Sequence, residues 1–391
     1  MFSRAIKIFT LQGFDIKVDP SWLLIAILIT WSLSRQYFPE VIQGQQEATY
    51  LLMAVFAMLA FFGSLILHEL AHSVVARHFG VKIKSITLFL FGGVAELEAE
   101  PKEAGIEFWI ALAGPAMSVV LAAGFWFLAQ IVHIAGISAP ATEVLSYLGL
   151  INLVLALFNL VPAFPLDGGR VLRAYLWNRS GDILKATKIA ANSGSMFAYV
   201  LMVLGLFLLF GGQTASGLWQ IFIGGFLLLA ARSSYEQQLL KTSLKGKTVQ
   251  TLMASDPIVC DPEMSLAMLV NRIMLLHRCS FVPVVESGVL LGFVDTDVLG
   301  RIDQENRVNT KVGDVFITLD DSNCVPPDMS VQDLLKQITT TGRRKYLVAE
   351  KHTLLGVVTL SDLVGYIGLF QSLQVQPEVT RSIAHHTQSE P

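Results

Sequence analysis

His68-Glu69-Leu70-Ala71-His72 lies inside an apolar stretch running roughly from Tyr50 to Ala76. On a helix, positions i and i+4 share a face, so both imidazoles can reach one metal ion while Glu69 projects beside them toward a metal-bound water. This H-E-x-x-H spacing is the one by which zinc hydrolases hold their ion. The alternative is a chance match whose histidines make structural hydrogen bonds. Two histidines and a carboxylate are costly to insert into an apolar span, and such residues mark function by default. A catalytic zinc has three protein ligands and one open position, so a third ligand is needed. The best candidate is Asp167 in the segment from Asn159 to Arg170, NLVPAFPLDGGR. Pro162 and Pro165 stop the preceding apolar run, and Gly168-Gly169 permit close backbone approach, which holds Asp167 on irregular chain at membrane depth. Asp167 could equally be the N-cap of a helix bearing Arg170 and Arg173. The order of the spans favours the ligand, because it brings His68, His72 and Asp167 to similar depth.

The elements that position these residues are apolar runs, roughly Ser21 to Ser34, Tyr50 to Ala76, Ile106 to Ile134, Leu145 to Pro162, Ile189 to Phe210 and Gly217 to Ala231. Several approach the ~20 residues that cross a bilayer, so about six transmembrane helices are expected, with the first and last the shortest. The 53% hydrophobic and 15% charged composition agrees, since a soluble core cannot absorb that excess. The first apolar run follows a strand-like segment, Ile6 to Val18, and lacks a small-residue cleavage site, so no cleavable signal peptide is expected. With the N-terminus inside, the cytoplasmic flanks hold nearly all the Lys and Arg near the spans, and the opposite side keeps Arg35. The positive-inside rule then places both termini in the cytoplasm, in a bacterial plasma membrane or an organellar membrane. Val81 to Pro101 reads as a strand or hairpin at the membrane edge, which must lie in protein, at the interface or beside a water-filled cavity. Glu96, Glu98 and Glu100 alternate along it as a solvated strand face. His78, His133, His385 and His386 are not read as ligands.

From about Ser243 the charged residues return and a soluble part begins. It carries a repeat of about 64 residues. Asp261 to Leu266 pairs with Pro326 to Val331, and Leu290-Leu291-Gly292-Phe293-Val294 with Leu354-Leu355-Gly356-Val357-Val358. Each unit reads as strand, helix, two strands, helix, with Ser265 and Ser330 as helix N-caps. Cys260, Cys279 and Cys324 have no paired spacing and suit a reducing compartment. The net charge of -3 and the lack of a basic tract exclude nucleic acid as a partner.

His68-Glu69-Leu70-Ala71-His72 followed by Asn159 through Asp167-Gly168-Gly169, each on its own span, resembles the site-2 protease family of intramembrane zinc metalloproteases. Phe91-Gly92-Gly93 and Ala113-Gly114-Pro115 add weaker support. The resemblance covers about Met1 to Ser234. It implies one zinc ion per chain on His68, His72 and Asp167, Glu69 as general base, and Asn159 placed to hold substrate backbone or the developing oxyanion. It also implies single-pass membrane proteins as substrates within the lipid bilayer. The branch with a PDZ-like insertion is excluded, since only about ten residues separate the third and fourth apolar runs. The tail resembles tandem cystathionine-synthase-type (CBS) domains, which often bind adenine nucleotides. Its second copy keeps the ribose-binding pattern as Thr359-Leu360-Ser361-Asp362, whereas Asp295 and Val298 stand at the matching positions of the first. One site for ATP, ADP or AMP at Thr359 and Asp362 is expected at most. A purely structural pair, or one that forms a homodimer, remains the alternative. The expected fold is a polytopic α-helical membrane protein with a small membrane-edge β element, plus a soluble α/β tandem CBS pair. The expected division is a protease domain over 1–234, a linker over 235–245, CBS repeats over 246–305 and 306–372, and a disordered tail over 373–391. Two rivals stay open: an ion channel or transporter with a regulatory CBS tail, which needs polar residues along several spans, and an inactive protease-like adaptor, which the intact Glu69 and ligand set disfavours.

Overall fold

A computed structural model describes residues 5–81, 83–89, 92–97 and 101–374. Phe91, Glu98, Glu100, His385, His386, the side chain of Glu96 and the tail 375–391 lie outside the described residues. The chain divides into two compact units, Met1–Gln238 and Leu239–Pro391.

The first unit opens with a hairpin of β1 (Ile6–Leu11) and β2 (Phe14–Val18). Its two-residue turn, Gln12-Gly13, has positive φ at both positions, 50° and 87°, the conformation whose twist matches that of the flanking strands. Next come α1 (Ser21–Ser32), a π-helical turn (Leu33–Tyr37) and α2 (Phe38–Val41). The turn widens where Pro39 cannot donate to the carbonyl of Arg35. Of the six expected spans, this first one is therefore an interrupted helix. Among the described residues, five helices are long and apolar enough to cross a membrane on their own: α3 (Glu47–His78), α4 (Ala104–Ile134), α5 (Ala139–Asn159), α7 (Ile183–Phe210) and α8 (Thr214–Leu244). The short α6 (Asp167–Ser180) lies between α5 and α7. α5 begins earlier than the hydropathy suggests because the Ser138 side chain accepts from the Ala141 N–H and Pro140 sits in the first turn.

β3 (Ile83–Phe89) and β4 (Gly92–Leu97) form the expected hairpin. The N-terminal hairpin joins it in one four-stranded sheet of order β1-β2-β3-β4, β2 running parallel to β3 with Ile16 opposite Ile86. Phe14, Ile16 and Ile86 bury their side chains against Leu70, the third residue of the H-E-x-x-H segment. The sheet thus packs on the middle of the motif. Arg77 pins the hairpin to the end of α3: its guanidinium donates to the Gln12 carbonyl at 2.7 Å and lies 4.7 Å over the Phe14 ring.

In the second unit, α9 (Val249–Leu252) and β5 (Ala254–Ser255) precede one helical stretch made of α10 (Leu266–Met268), a π-helical turn (Leu269–Met274) and α11 (Leu275–His277). β6 (Phe281–Glu286), β7 (Val289–Asp295) and α12 (Thr296–Gly300) complete the first repeat. The second comprises β8 (Ile317–Thr318), β9 (Cys324–Val325), α13 (Val331–Thr341), β10 (Lys345–Glu350), β11 (Thr353–Thr359) and α14 (Leu360–Gln374). Ser265 and Ser330 cap their helices, accepting from Met268 N and Asp333 N. The packing crosses the repeat boundary: β5 pairs with β11, and β8 pairs with β7. Leu244, Val249 and Leu252 accordingly sit in the second repeat's core with Val331, Leu334 and Val348, while Val312 sits in the first repeat's core with Leu266 and Val282. The segment read as a linker, 235–245, is the end of α8 as far as Leu244, and Gly246, at φ 70°, follows it. All three cysteines are free thiols, and burial, with the nearby Asp261 carboxylate, pushes Cys260 up to about 12.

Replacing the fully buried Val249 with Asp places an unpaired charge in the second repeat's core, at a cost of about 3 kcal/mol or more. Hydrogen exchange on the full chain is expected to lose protection in β10 and β11 first, while β6 and β7 keep theirs. Equal loss in both sheets would contradict the crossed packing.

Candidate metal centre

Three side-chain atoms converge: His68 Nε2, His72 Nε2 and Asp167 Oδ2, each 3.2 Å from the other two. A tetrahedral ion with bonds of about 2.0–2.1 Å requires ligand atoms about 3.3–3.4 Å apart, so this triangle comes within about 0.2 Å of the edge length that zinc demands. Two imidazoles and a carboxylate also make the nitrogen and oxygen set that suits it. Both histidines are buried and Asp167 is partly so. Among the described residues, this is the one group of three His, Cys, Asp or Glu side chains close enough to share an ion.

Each ring is aimed from behind by α4. His72 Nδ1 donates to the Ile110 carbonyl at 2.6 Å, and His68 Nδ1 meets Ser118 Oγ at 2.9 Å. With protons on Nδ1, the Nε2 lone pairs face the centre. Gly114 lies between those two supports, and a Cβ there would fall on the Nε2 atoms of both histidines. α4 therefore presents bare backbone to the centre, which only glycine allows.

Asp167 is the first residue of α6, and its carboxylate is turned to the histidines. The N-cap position belongs to Leu166, which makes no side-chain cap. The loop before it is tied down on α7: Phe164 N donates to the Ala190 carbonyl at 3.3 Å, and Ser193 Oγ donates to the Pro162 carbonyl at 2.5 Å. Gly168 and Gly169 are required because side chains there would collide with the Leu160 and Val161 carbonyls and with the Ala163–Phe164 peptide.

Glu69 lies beside His68 and His72 on α3 and faces β4, where a Cβ on Gly93 would come within 2.6 Å of Glu69 Cγ. The outer strand of the sheet thus passes directly against this carboxylate. Asn159, the last residue of α5, is half-buried and donates from Nδ2 to the Leu155 carbonyl of its own helix at 3.0 Å. The structure engages it with α5, outside the triangle of His68, His72 and Asp167.

In the second unit, Thr359 and Asp362 are joined to each other. Asp362 Oδ2 accepts from Thr359 N and Oγ1, both at 2.8 Å, and Asp362 N donates to Thr359 Oγ1 at 3.3 Å, a reciprocal cap on α14. The corresponding Asp295 caps α12, accepting from Asp297 N and Val298 N. Lys345 faces Thr359 in strand register and donates from Nζ to Ser280 Oγ at 2.9 Å.

Sequence reasoning named the converging side chains and missed their supports. Ser118 carried a signal, being a polar group inside an apolar run. The Ile110 carbonyl carried none, since any residue supplies one.

Two family models match the chain: Peptidase family M50 over residues 56–137 and 128–205, and CBS domain over 249–302 and 312–369. Rip3 of Mycobacterium tuberculosis, named a zinc metalloprotease, is 37% identical over 382 residues, covering 97% of this chain and 96% of its own length. Zinc metalloprotease MJ0392 of Methanocaldococcus jannaschii is 29% identical over 367 residues, 94% of this chain and 97% of that one. A solved site-2 protease from the same archaeon is 32% identical and covers 59% of this chain and 95% of its own, with a TM-score of 0.41.

Ser118→Ala removes the hydrogen-bond partner that orients His68 and leaves the packing nearly intact. It is expected to weaken zinc binding about 10- to 100-fold in competition with a chromogenic chelator. Unchanged affinity would show that Ser118 does not orient the ring.

Proposed function

The chain belongs to peptidase family M50, the site-2 protease family of multi-pass membrane zinc metalloproteases, with a C-terminal CBS pair, and on that premise we propose that it cleaves peptide bonds within or beside the transmembrane helices of membrane-tethered proteins. The observation that carries this reading is the triangle of His68, His72 and Asp167, built from a helix long and apolar enough to cross a bilayer and the first residue of the short helix α6.

When bound there, a zinc ion would supply Lewis acidity, polarising a carbonyl and bringing the pKa of water down to about 7. The residues do the rest. His68 and His72 keep their Nε2 lone pairs on one point through their Nδ1 partners. Glu69 accepts the proton of the attacking water and returns it to the leaving amine. Asn159, at the end of α5, is assigned to the substrate backbone or the developing oxyanion through its side-chain amide. A helical substrate must unwind first, because its peptide bonds are shielded by their own hydrogen bonds. β4, lying against Glu69, offers an edge on which an extended segment can be held by strand addition.

The Lys and Arg flanks of the spans favour cytoplasmic termini in a bacterial plasma membrane or an organellar counterpart, with water reaching the centre from that side. Substrates are then single-pass membrane regulators, such as anti-sigma factors, or remnant signal peptides. The CBS pair binds an adenine nucleotide through Thr359 and Asp362, whose reciprocal cap opens to receive ribose hydroxyls, and binding tunes proteolysis. A second reading, in which the two residues serve only to cap α14, is favoured by that same closed cap.

Glu69→Gln is nearly isosteric and is expected to abolish cleavage of a reconstituted transmembrane substrate while zinc content stays at the wild-type level. Activity retained in that variant would remove Glu69 from the role of base. Asp167→Ala is expected to lower both zinc occupancy and activity; full occupancy would place the third ligand elsewhere. Calorimetry of the full-length protein with ATP, ADP and AMP decides the nucleotide question. Heat that disappears in Asp362→Ala supports ribose recognition, and no heat with any of the three at millimolar concentration leaves the cap as the whole role.

A further inference from the structure

Glu107 and Arg173 form a buried ion pair that the reaction described above does not use. Glu107 is 1% exposed, within an apolar span, and accepts at Oε1 from Arg173 Nε at 2.7 Å and from Arg173 Nη2. Its second oxygen, Oε2, has no partner among the described residues. Such a pair is weak as a source of stability: desolvating both charges costs about what their attraction returns, and well-packed apolar residues would serve as well or better. An orphaned carboxylate oxygen raises that cost further. What the pair fixes is register.

Glu107 lies on the face of α4 that also carries Ile110, Gly114 and Ser118, at spacings of three and four residues. Ile110 and Ser118 hold the backs of the two histidines, and Gly114 between them lets α4 come close. Arg173 stands six residues after Asp167 on α6, about 9 Å along the axis. Its guanidinium also lies 5.1 Å over the ring of Phe164, in the loop that leads into Asp167. One side chain therefore connects the histidine-bearing assembly, the ligand helix and the ligand loop. The guanidinium is a planar fork, so it fixes direction as well as distance, which a lysine cannot do.

We propose that the Glu107–Arg173 pair is the positioning device that sets Asp167 against His68 and His72, and so sets the affinity of the centre for a divalent cation. This rests on the metal assignment made above. The test uses the full chain in detergent, stripped of metal and titrated with zinc against a chromogenic competitor, with thermal melting of the metal-free protein measured in parallel. The doubly substituted Glu107→Met, Arg173→Met protein removes both charges while keeping bulk. It is expected to melt as the wild type does when metal-free, yet to bind zinc about 10- to 100-fold more weakly. Arg173→Lys keeps the charge and loses the fork, and is expected to bind zinc several-fold more weakly with its melting nearly unchanged. Wild-type zinc affinity in either variant overturns the proposal, whatever happens to melting. If the double variant does not fold, Arg173→Lys decides alone. Asp167→Ala is titrated alongside: wild-type affinity there would overturn the metal assignment itself, a result distinct from failure of the positioning role.

Discussion

Two imidazoles and a carboxylate can be kept inside a bilayer-spanning bundle only if each of their polar atoms faces another polar atom or an ion. Much of the membrane unit follows from that constraint. The outer nitrogens of His68 and His72 are satisfied by Ser118 and by the Ile110 carbonyl, and the inner ones meet the Asp167 carboxylate. Because the two supports lie on one helix eight residues apart, α4 must run close along α3, and Gly114 is the residue that makes the approach sterically feasible. The same arrangement that satisfies the outer nitrogens leaves the inner lone pairs pointing at one place.

The constraint extends to the backbone. Between Asn159 and Asp167 the chain is not helical, so its amides and carbonyls need partners that a helix would have supplied from within. α7 supplies some of them through Ala190 and Ser193, and the glycines at 168, 169 and 194 let the strands of chain come close enough to bond. The β-sheet solves the same problem at the other flank of α3. Its strands pair among themselves, and its apolar face covers Leu70 while the backbone of β4 lies on Glu69. Among the described residues β4 is the edge strand of this sheet, so the strand addition proposed above would place an extended segment beside Glu69.

The CBS unit obeys a different solvent and a different logic. Its two repeats are held together by exchange of short segments, α9 and β5 completing the second sheet and β8 the first, with Leu290, Phe293 and Leu347 buried between them. Neither repeat closes its core with residues from its own copy alone. The copies have also diverged where their last helices begin. Thr359 and Asp362 form a reciprocal cap, whereas Asp295 caps by itself, so the two ends of the pseudo-symmetric pair differ chemically.

The sequence by itself determined the elements whose information is local. His68, Glu69 and His72 were legible because a helix converts a spacing of four into a shared face. Helices α3 to α5, α7 and α8 were legible because a bilayer selects long apolar runs, and Ser265 and Ser330 because a cap acts three residues away. Its local sequence could not tell Asp167 as a ligand from Asp167 as a helix cap, since both roles begin a helix with a carboxylate, and the order of the spans favoured the ligand. Only the tertiary structure showed it turned to the histidines. The union of the N-terminal hairpin with β3 and β4, the supports at Ile110 and Ser118, the Glu107–Arg173 pair and the crossed segments of the CBS unit were also decided there. Each joins residues tens of positions apart, through backbone groups every residue carries or through single side chains. Periodicity along the chain does not encode such meetings, because they exist only once the elements have packed.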